Sequence, residues 1–323
     1  MTDIVKILAE ELGIKTSQVD ATIKLIDEGN TIPFISRYRK EVTGSLNDEI
    51  LRQFDERLKY LRNLEEKKEQ VLSAIEEQGK LTEELKKEIE SALTLVAVDD
   101  LYRPFRPKRR TRAMIAIEKG LENFATDIYE ENLQQPAIEE AKKYLSDKEG
   151  LEVETPEDAI AGAMDIIAEK ISDDATFRNK IRDLSFKQGI LTSVAKDETV
   201  ESVYENYYNF AESVSKTAGY KILAINRGEE EKILTVKLDP PVEEIIRYLE
   251  KCIIKKHNVH TEQILKDTID DAYKRLIAPS IERDIRSSLT EKAEDEAIKV
   301  FGKNLTQLLM QPPVAGRVVL GWD

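Results

Sequence analysis

The densest chemistry in this sequence is Leu101-Tyr102-Arg103-Pro104-Phe105-Arg106-Pro107-Lys108-Arg109-Arg110-Thr111-Arg112, where six basic residues follow one another from Arg103 onward with no acid among them. Arginine outnumbers lysine five to one in that run, and a guanidinium fork matches phosphate oxygens in two-point geometry. Tyr102 and Phe105 add flat faces on which bases can stack. The run suits contact with nucleic acid or a phosphoprotein. The same side chains could instead pair with acidic helices of the chain and pin the proline turn. Both readings stand at this point.

A second basic spot, Arg37, Arg39 and Lys40, lies in Pro33-Phe34-Ile35-Ser36-Arg37-Tyr38-Arg39-Lys40-Glu41. It could extend the same surface, or it could be an ordinary solvated helix face beside a Phe34/Ile35 core. The helix pair at the start of the chain is helix-turn-helix-like, because Ala9, Gly13 and Val19 supply a small residue, a turn glycine and a core aliphatic. Its second helix shows Asp20, Asp27 and Glu28 against Lys24. Acids there would repel phosphates, so major-groove readout is not expected.

The usual catalytic arrangements are missing. The nearest pair of glycines is Gly316 and Gly321, and Trp322-Asp323 follows them where a phosphate loop needs Lys-Ser/Thr. His257 and His260 are three apart and could share a helix face, but only Cys252 and Glu262 lie near enough to join them as ligands. No metal and no cofactor are expected. With 63 Asp and Glu in the chain, carboxylate pairs at helical spacing arise throughout, so none is singled out for acid–base work. Tyr204, Tyr207, Tyr208 and Phe210 recur at helical spacing, which a core face produces more readily than a base-stacking platform.

Helices must position these residues. Apolar residues recur at three- and four-residue spacing through most of the chain, and only 13 glycines and 10 prolines interrupt them. The expected fold is mainly α: a multi-lobed helical scaffold with an N-terminal helix-turn-helix-like unit, a long strut helix and at most a small β element. The first helices are expected at 4–12 and 19–28, with Gly13 left-handed at the first C-terminus and Ser17 as an N-cap. Thr31 and Pro33 suit the start of a third. Phe54, Leu58, Leu61, Leu64, Val71, Leu72 and Ile75 then hold one helical face over 48–78, roughly 45 Å at 1.5 Å per residue. Another helix follows from Thr82, and the two prolines of 102–107 imply extended backbone.

Several helices fill 112–187, separated at Gly120, Gln135-Pro136, Gly150 and Thr155-Pro156, with Ser172 capping the last. Strands are expected at 190–195 and 233–238, the second with Leu234, Val236 and Leu238 on one face. Helices resume from 242 to about 310. This divides the chain into a helix-turn-helix-like unit (1–46), the strut and its following helix (47–100), the basic loop with a helical domain (101–188), a helical domain with short strands (189–316), and the opening of a buried strand (317–323).

Lysine and arginine number 49 against 63 acids, a net charge of −14. A protein that coats nucleic acid over its whole surface carries the opposite sign, so any such contact must be local. The single cysteine, Cys252, cannot form an internal disulfide, and no secretory leader opens the chain; a cytoplasmic protein is expected. No apolar run approaches the roughly 18 residues of a bilayer span, so no membrane association is expected.

Thr31-Ile32-Pro33-Phe34-Ile35-Ser36-Arg37-Tyr38-Arg39-Lys40-Glu41-Val42-Thr43-Gly44, Glu77-Gln78-Gly79-Lys80-Leu81-Thr82, Asp100 through Thr111, Ile171-Ser172-Asp173-Asp174-Ala175 and Arg227-Gly228-Glu229 form a distinctive set. Together these segments resemble the Tex family of bacterial transcription accessory proteins, relatives of a eukaryotic transcription elongation factor. The resemblance implies that a YqgF-like domain of RNase H type, helix-hairpin-helix units and an OB-type RNA-binding domain follow in full-length relatives. Leu320-Gly321-Trp322-Asp323 resembles the first strand of that YqgF-like domain, with Asp323 as its first carboxylate. One carboxylate without partners holds no catalytic metals. Where relatives often have Pro-Ser-His-Arg, this chain has Ala218-Gly219-Tyr220-Lys221, which removes any role for a histidine or arginine at that turn.

The resulting expectation is a non-catalytic, nucleic-acid-associated scaffold. RNA or single-stranded DNA is the expected partner of the full-length protein, contacted here by Arg103, Arg106, Lys108, Arg109, Arg110 and Arg112 with Arg37, Arg39 and Lys40. The alternative is a protein-interaction module docking on RNA polymerase or ribosome components. A hydrolytic enzyme is a distant third, since no nucleophile, base or metal set converges.

Overall fold

The computed structural model describes residues 3–107, 109–312, 316, 318 and 320, and the chain divides into two compact units. The first comprises the described residues up to 107 together with 173–175, and the second those from 109 to 172 and from 176 onward. The architecture is mainly α with one small sheet. Lys108, residues 321–323 and most of the expected strand at 317–323 lie outside the described residues.

The first unit is helical throughout: α1 (Ile4–Leu12), α2 (Thr16–Asp27), α3 (Ile32–Tyr38), α4 (Asp48–Glu77), α5 (Glu83–Ser91) and α6 (Leu95–Tyr102). Gly13 ends α1 in the left-handed conformation at φ 63°, as its position suggests. The second helix starts three residues earlier than expected. The Lys15 N–H donates to the Gln18 side chain at 3.1 Å, which closes the first turn at Thr16 and leaves Ser17 inside the helix rather than at its cap. Thr31 and Pro33 open α3 as the sequence implies.

The long helix α4 is the organising element. Asn47 accepts the Ile50 N–H at 2.8 Å, and Asp48 and Glu49 place negative charge at the positive end of the helix. One face is buried along its length. Leu51 packs with Leu25, Ile35 and Leu46; Phe54, Leu58 and Leu61 pack with Leu8, Ala9 and Val19; Leu64, Val71 and Ile75 pack with Ile89, Ala92 and Val98. Each such side chain contributes roughly 1.5–3 kcal/mol. Lys68 is a surprise on that face: it is buried, and its Nζ donates to the Glu65 carboxylate and the Glu90 carbonyl, both at 2.9 Å. It stitches α4 to the end of α5.

After α6 the chain does not become extended at once. Arg103–Phe105 form a 3₁₀ turn, with Pro104 in its first positions where a missing N–H costs nothing; extended backbone begins only at Arg106, ψ 132°.

The second unit contains α7 (Arg112–Glu118), α8 (Glu122–Tyr129), α9 (Ala137–Ala141), α10 (Pro156–Asp173), α11 (Ala175–Gln188), α12 (Gly219–Glu230), α13 (Val242–Ile253), α14 (Glu262–Asp271) and α15 (Ala278–Leu309). Ser172 is a buried residue of α10 and caps nothing. Three antiparallel strands, β1 (Ile190–Ala195), β2 (Asn209–Ser213) and β3 (Leu234–Asp239), lie in the order β2-β1-β3. Thr192 faces Ala211 on one side and Lys237 on the other. In β3, Leu234, Val236 and Leu238 are buried, as the alternation implies. β2 is a strand that the sequence pattern did not indicate. Asn209-Phe210-Ala211-Glu212-Ser213 lacks β-branched residues, and the aromatics before it imitate a helical stripe. Those aromatics do pack: Tyr204 is buried and Tyr207, Tyr208 and Phe210 lie against the same core, but on a 3₁₀ turn and a strand.

His257 and His260 sit in the connection between α13 and α14, not on a helix face, and His257 takes a left-handed φ of 50°. A π-helical turn at Ala272–Ile277 precedes α15, whose Pro279 lacks the N–H of a normal turn. α15 is buried at Ile281, Ile285 and Ala293; from 294 onward every residue of the helix is exposed, including Ile298, Phe301, Leu305 and Leu308, with Gly302 among them.

Candidate nucleic-acid interface

The sequence-derived basic residues fall in three places. Arg37, Arg39 and Lys40 occur where α3 ends. Ile35 and Ser36 turn inward there, which leaves Phe34 half-buried and Arg37, Tyr38, Arg39 and Lys40 exposed. The Phe34 and Tyr38 rings sit 5.3 Å apart, and the Arg39 guanidinium lies 5.2 Å from the Phe34 ring centre. Arg39 Nη1 also donates to the Tyr38 carbonyl at 3.1 Å. None of Arg37, Arg39 and Lys40 has an ion-pair partner among the described residues.

The turn that follows is held from the second helix. Thr43 is buried and its hydroxyl reaches the carbonyls of Arg39 and Lys40. Gln18 Nε2 donates to the carbonyls of Thr43 and Gly44 at 3.0 and 3.2 Å. Gly44 has φ 64°, which favours glycine, and a Cβ there would fall 2.6 Å from Gln18 Nε2 and push that amide out of its hydrogen bonds.

Arg103 and Arg106 belong to the same unit and are engaged. Arg103 pairs with Asp173 at 3.3 Å, and Arg106 pairs with Asp99 at 2.8 Å while lying 5.6 Å from the Tyr102 ring centre. Gln78 at the C-terminal end of α4 donates to the Phe105 carbonyl at 2.9 Å. The two basic spots therefore occupy opposite ends of α4. Leu51, beneath α3, and Gln78, beside Phe105, are 27 positions apart, roughly 40 Å of helix.

Arg109, Arg110 and Arg112 belong to the second unit. Arg110 pairs with Glu118 at 2.7 Å, whereas Arg109 and Arg112 are exposed without an ion-pair partner among the described residues. Arg112 lines an open groove of about 510 Å³ together with Lys119, Glu152, Glu154, Asp158 and Asp165. Four carboxylates against two cations make that groove a poor seat for phosphate. Among the described residues no three His, Cys, Asp or Glu side chains are grouped to hold a metal ion.

One polar cluster escaped the sequence reading altogether. Glu131 is buried at φ 56°, and its carboxylate accepts the backbone N–H groups of Lys255, Lys256 and Asn258 at 2.7, 2.6 and 3.1 Å. Burial alone would raise its pKa; the bonds from Lys256, Asn258 and Lys255, with His257 nearby, outweigh that and hold it below the ordinary carboxylate value. This is a structural latch for the connection between α13 and α14. Its partners lie 124–127 positions away, beyond the reach of any local pattern.

Comparison with known proteins places the chain clearly. Residues 2–76 match the Tex-like protein N-terminal domain, and residues 132–301 match the Tex central region-like domain. Over 319 residues the chain is 46% identical to the uncharacterized protein YdcI of Bacillus subtilis (strain 168), covering 98% of this chain and 44% of that protein. It is 38% identical over 329 residues to the transcriptional accessory protein Tex of Neisseria gonorrhoeae, covering 99% and 43%. It is 33% identical over 340 residues to the S1 RNA-binding domain-containing protein 1 of Pongo abelii, covering 99% and 33%. The chain thus spans less than half the length of these relatives.

Proposed function

The chain belongs to the Tex family, and from that premise we propose that it is a non-catalytic scaffold that supports binding of RNA or single-stranded DNA during transcription in the cytoplasm. The observation that carries this reading is the end of α3, where Arg37, Arg39 and Lys40 stand exposed and without ion-pair partners on a chain of net charge −14. Names of relatives point the same way: one is a transcriptional accessory protein and another an S1 RNA-binding domain-containing protein. Arg109 adds an unpaired cation in the second unit. No helix among the described residues is long and apolar enough to cross a membrane.

Fluorescence anisotropy with single-stranded RNA, single-stranded DNA and duplex DNA at two salt concentrations tests it. Binding that weakens with salt is expected. Replacing Arg37, Arg39 and Lys40 by Ala should flatten the slope of log K against log salt by about 0.7 for each phosphate that is no longer neutralised. Affinity and slope identical to the parent would sink the reading.

A second reading draws on a specific observation. Arg103, Arg106 and Arg110 are each tied to a carboxylate of the chain, which favours an internal clamp and a protein-docking scaffold for RNA polymerase or ribosome components. Under it, substituting Arg106, Lys108, Arg109 and Arg110 by Ala lowers the melting temperature and leaves nucleic-acid affinity unchanged. Under the leading reading the same variant weakens binding.

A further inference from the structure

Tyr38 has no part in the core. It is 61% exposed, while Ile35 and Ser36 of the same helix turn inward. Phe34, one helical turn earlier, supports its ring at a 44° tilt, and Arg39 is fixed over that Phe34 and against the Tyr38 carbonyl. Tyr38 is therefore an open aromatic face on a braced base, with a cation on each side in the sequence. Between residues 32 and 47 the only acid is Glu41, against Arg37, Arg39 and Lys40. The cations of α4 in the same unit differ: Arg52, Arg57, Lys59, Arg62 and Lys67 each have a carboxylate partner. The site is also held in shape, because Gln18 and Thr43 fix the backbone that carries Arg39 and Lys40.

We propose that Tyr38 is a stacking platform for one unpaired base of a single-stranded nucleic acid, whose flanking phosphates lie on Arg37, Arg39 and Lys40. This rests on the nucleic-acid reading above and narrows it to one place and one ligand form. An acidic peptide would satisfy the cations but leave the aromatic face unused. A duplex would satisfy them too, but its base faces are already covered by neighbouring bases; only an unpaired base offers a face to the ring.

The experiment is anisotropy of the 323-residue chain with four probes: a single-stranded RNA, its duplex, an abasic strand of equal phosphate number, and polyglutamate. Tyr38→Leu should weaken binding of the single strand roughly 5- to 150-fold, the loss of one stacked base. It should leave the salt slope and the affinity for the abasic strand unchanged. Tyr38→Trp should restore binding, and its indole emission should fall on addition of the single strand but not of the abasic one. Melting curves of both variants should match the parent, because the side chain is exposed. If Tyr38→Leu binds the single strand like the parent while the Arg37/Arg39/Lys40 variant loses it, the phosphate contacts stand and the stacking platform is overturned. If neither variant changes binding, the nucleic-acid reading of this site fails with it. Tyr38-dependent capture of polyglutamate would make the site a peptide interface and overturn the proposal in a third way.

Discussion

The two longest helices among the described residues, α4 with 30 residues and α15 with 32, have similar lengths yet different surroundings. Along α4 the apolar face is covered from Leu51 to Ile75 by residues of the same unit. Along α15 cover ends at Ala293, and beyond it Ile298, Phe301, Leu305 and Leu308 form a second apolar stripe, turned to the other side of the helix from Ile281, Ile285 and Ala293, that stands in the open. Helical periodicity thus reports which face of a helix seeks burial, and not whether its own unit supplies the partner. An exposed stripe of this length is the kind of surface that carries interactions.

The comparison can be broken by mutation. Phe54→Ala on α4 should cost about 3–5 kcal/mol, because the ring is fully buried. Ile285→Ala on the covered half of α15 should cost about 2–5 kcal/mol. Urea titration of each variant measures both, and a loss below about 1 kcal/mol at Ile285 would mean that the covered half is not anchored either. Glu131→Gln comes next, at about 1.5–3 kcal/mol, since three backbone N–H groups would lose a charged acceptor. It carries a pH signature. The folded pKa lies below the ordinary 4.5, so this stability is present above the unfolded value and lost as pH falls through the folded one. The parent, but not the variant, should lose it on acidification below about pH 4.5. The smallest effect belongs to the bare half of α15: Phe301→Ala should change stability by no more than about 0.5 kcal/mol. A loss comparable to that at Phe54 would erase the distinction between the helices.

What could be read in advance follows from the same contrast. The strut, the left-handed Gly13 and the Thr31–Pro33 helix start were legible because each rests on residues within one or two turns. Lys68 was not, because a lysine interrupts the stripe and one of the acceptors that hold it, the Glu90 carbonyl, lies 22 positions away. β2 was hidden by composition. The basic run at 103–112 was legible as charge, but its pairing was not: Asp173 lies far along the chain from Arg103 and reaches it only through the fold. The free cations at Arg37, Arg39 and Lys40 were visible only as a lesser spot, since nothing local distinguishes a paired cation from an unpaired one.

Gly302 adds a consequence for α15. It has open space around it, so an alanine there would meet nothing, yet as a helical glycine it weakens its segment by about 1 kcal/mol relative to alanine. A helix of some sixteen residues without lateral support stands near the midpoint of its helix–coil equilibrium. Order in residues 294–309 and cover over their apolar stripe are therefore one linked equilibrium, and amide hydrogen exchange should fall off in protection along a single continuous helix, steeply past Ala293. Gly302→Ala would extend that protection outward while the methyl group itself touches nothing.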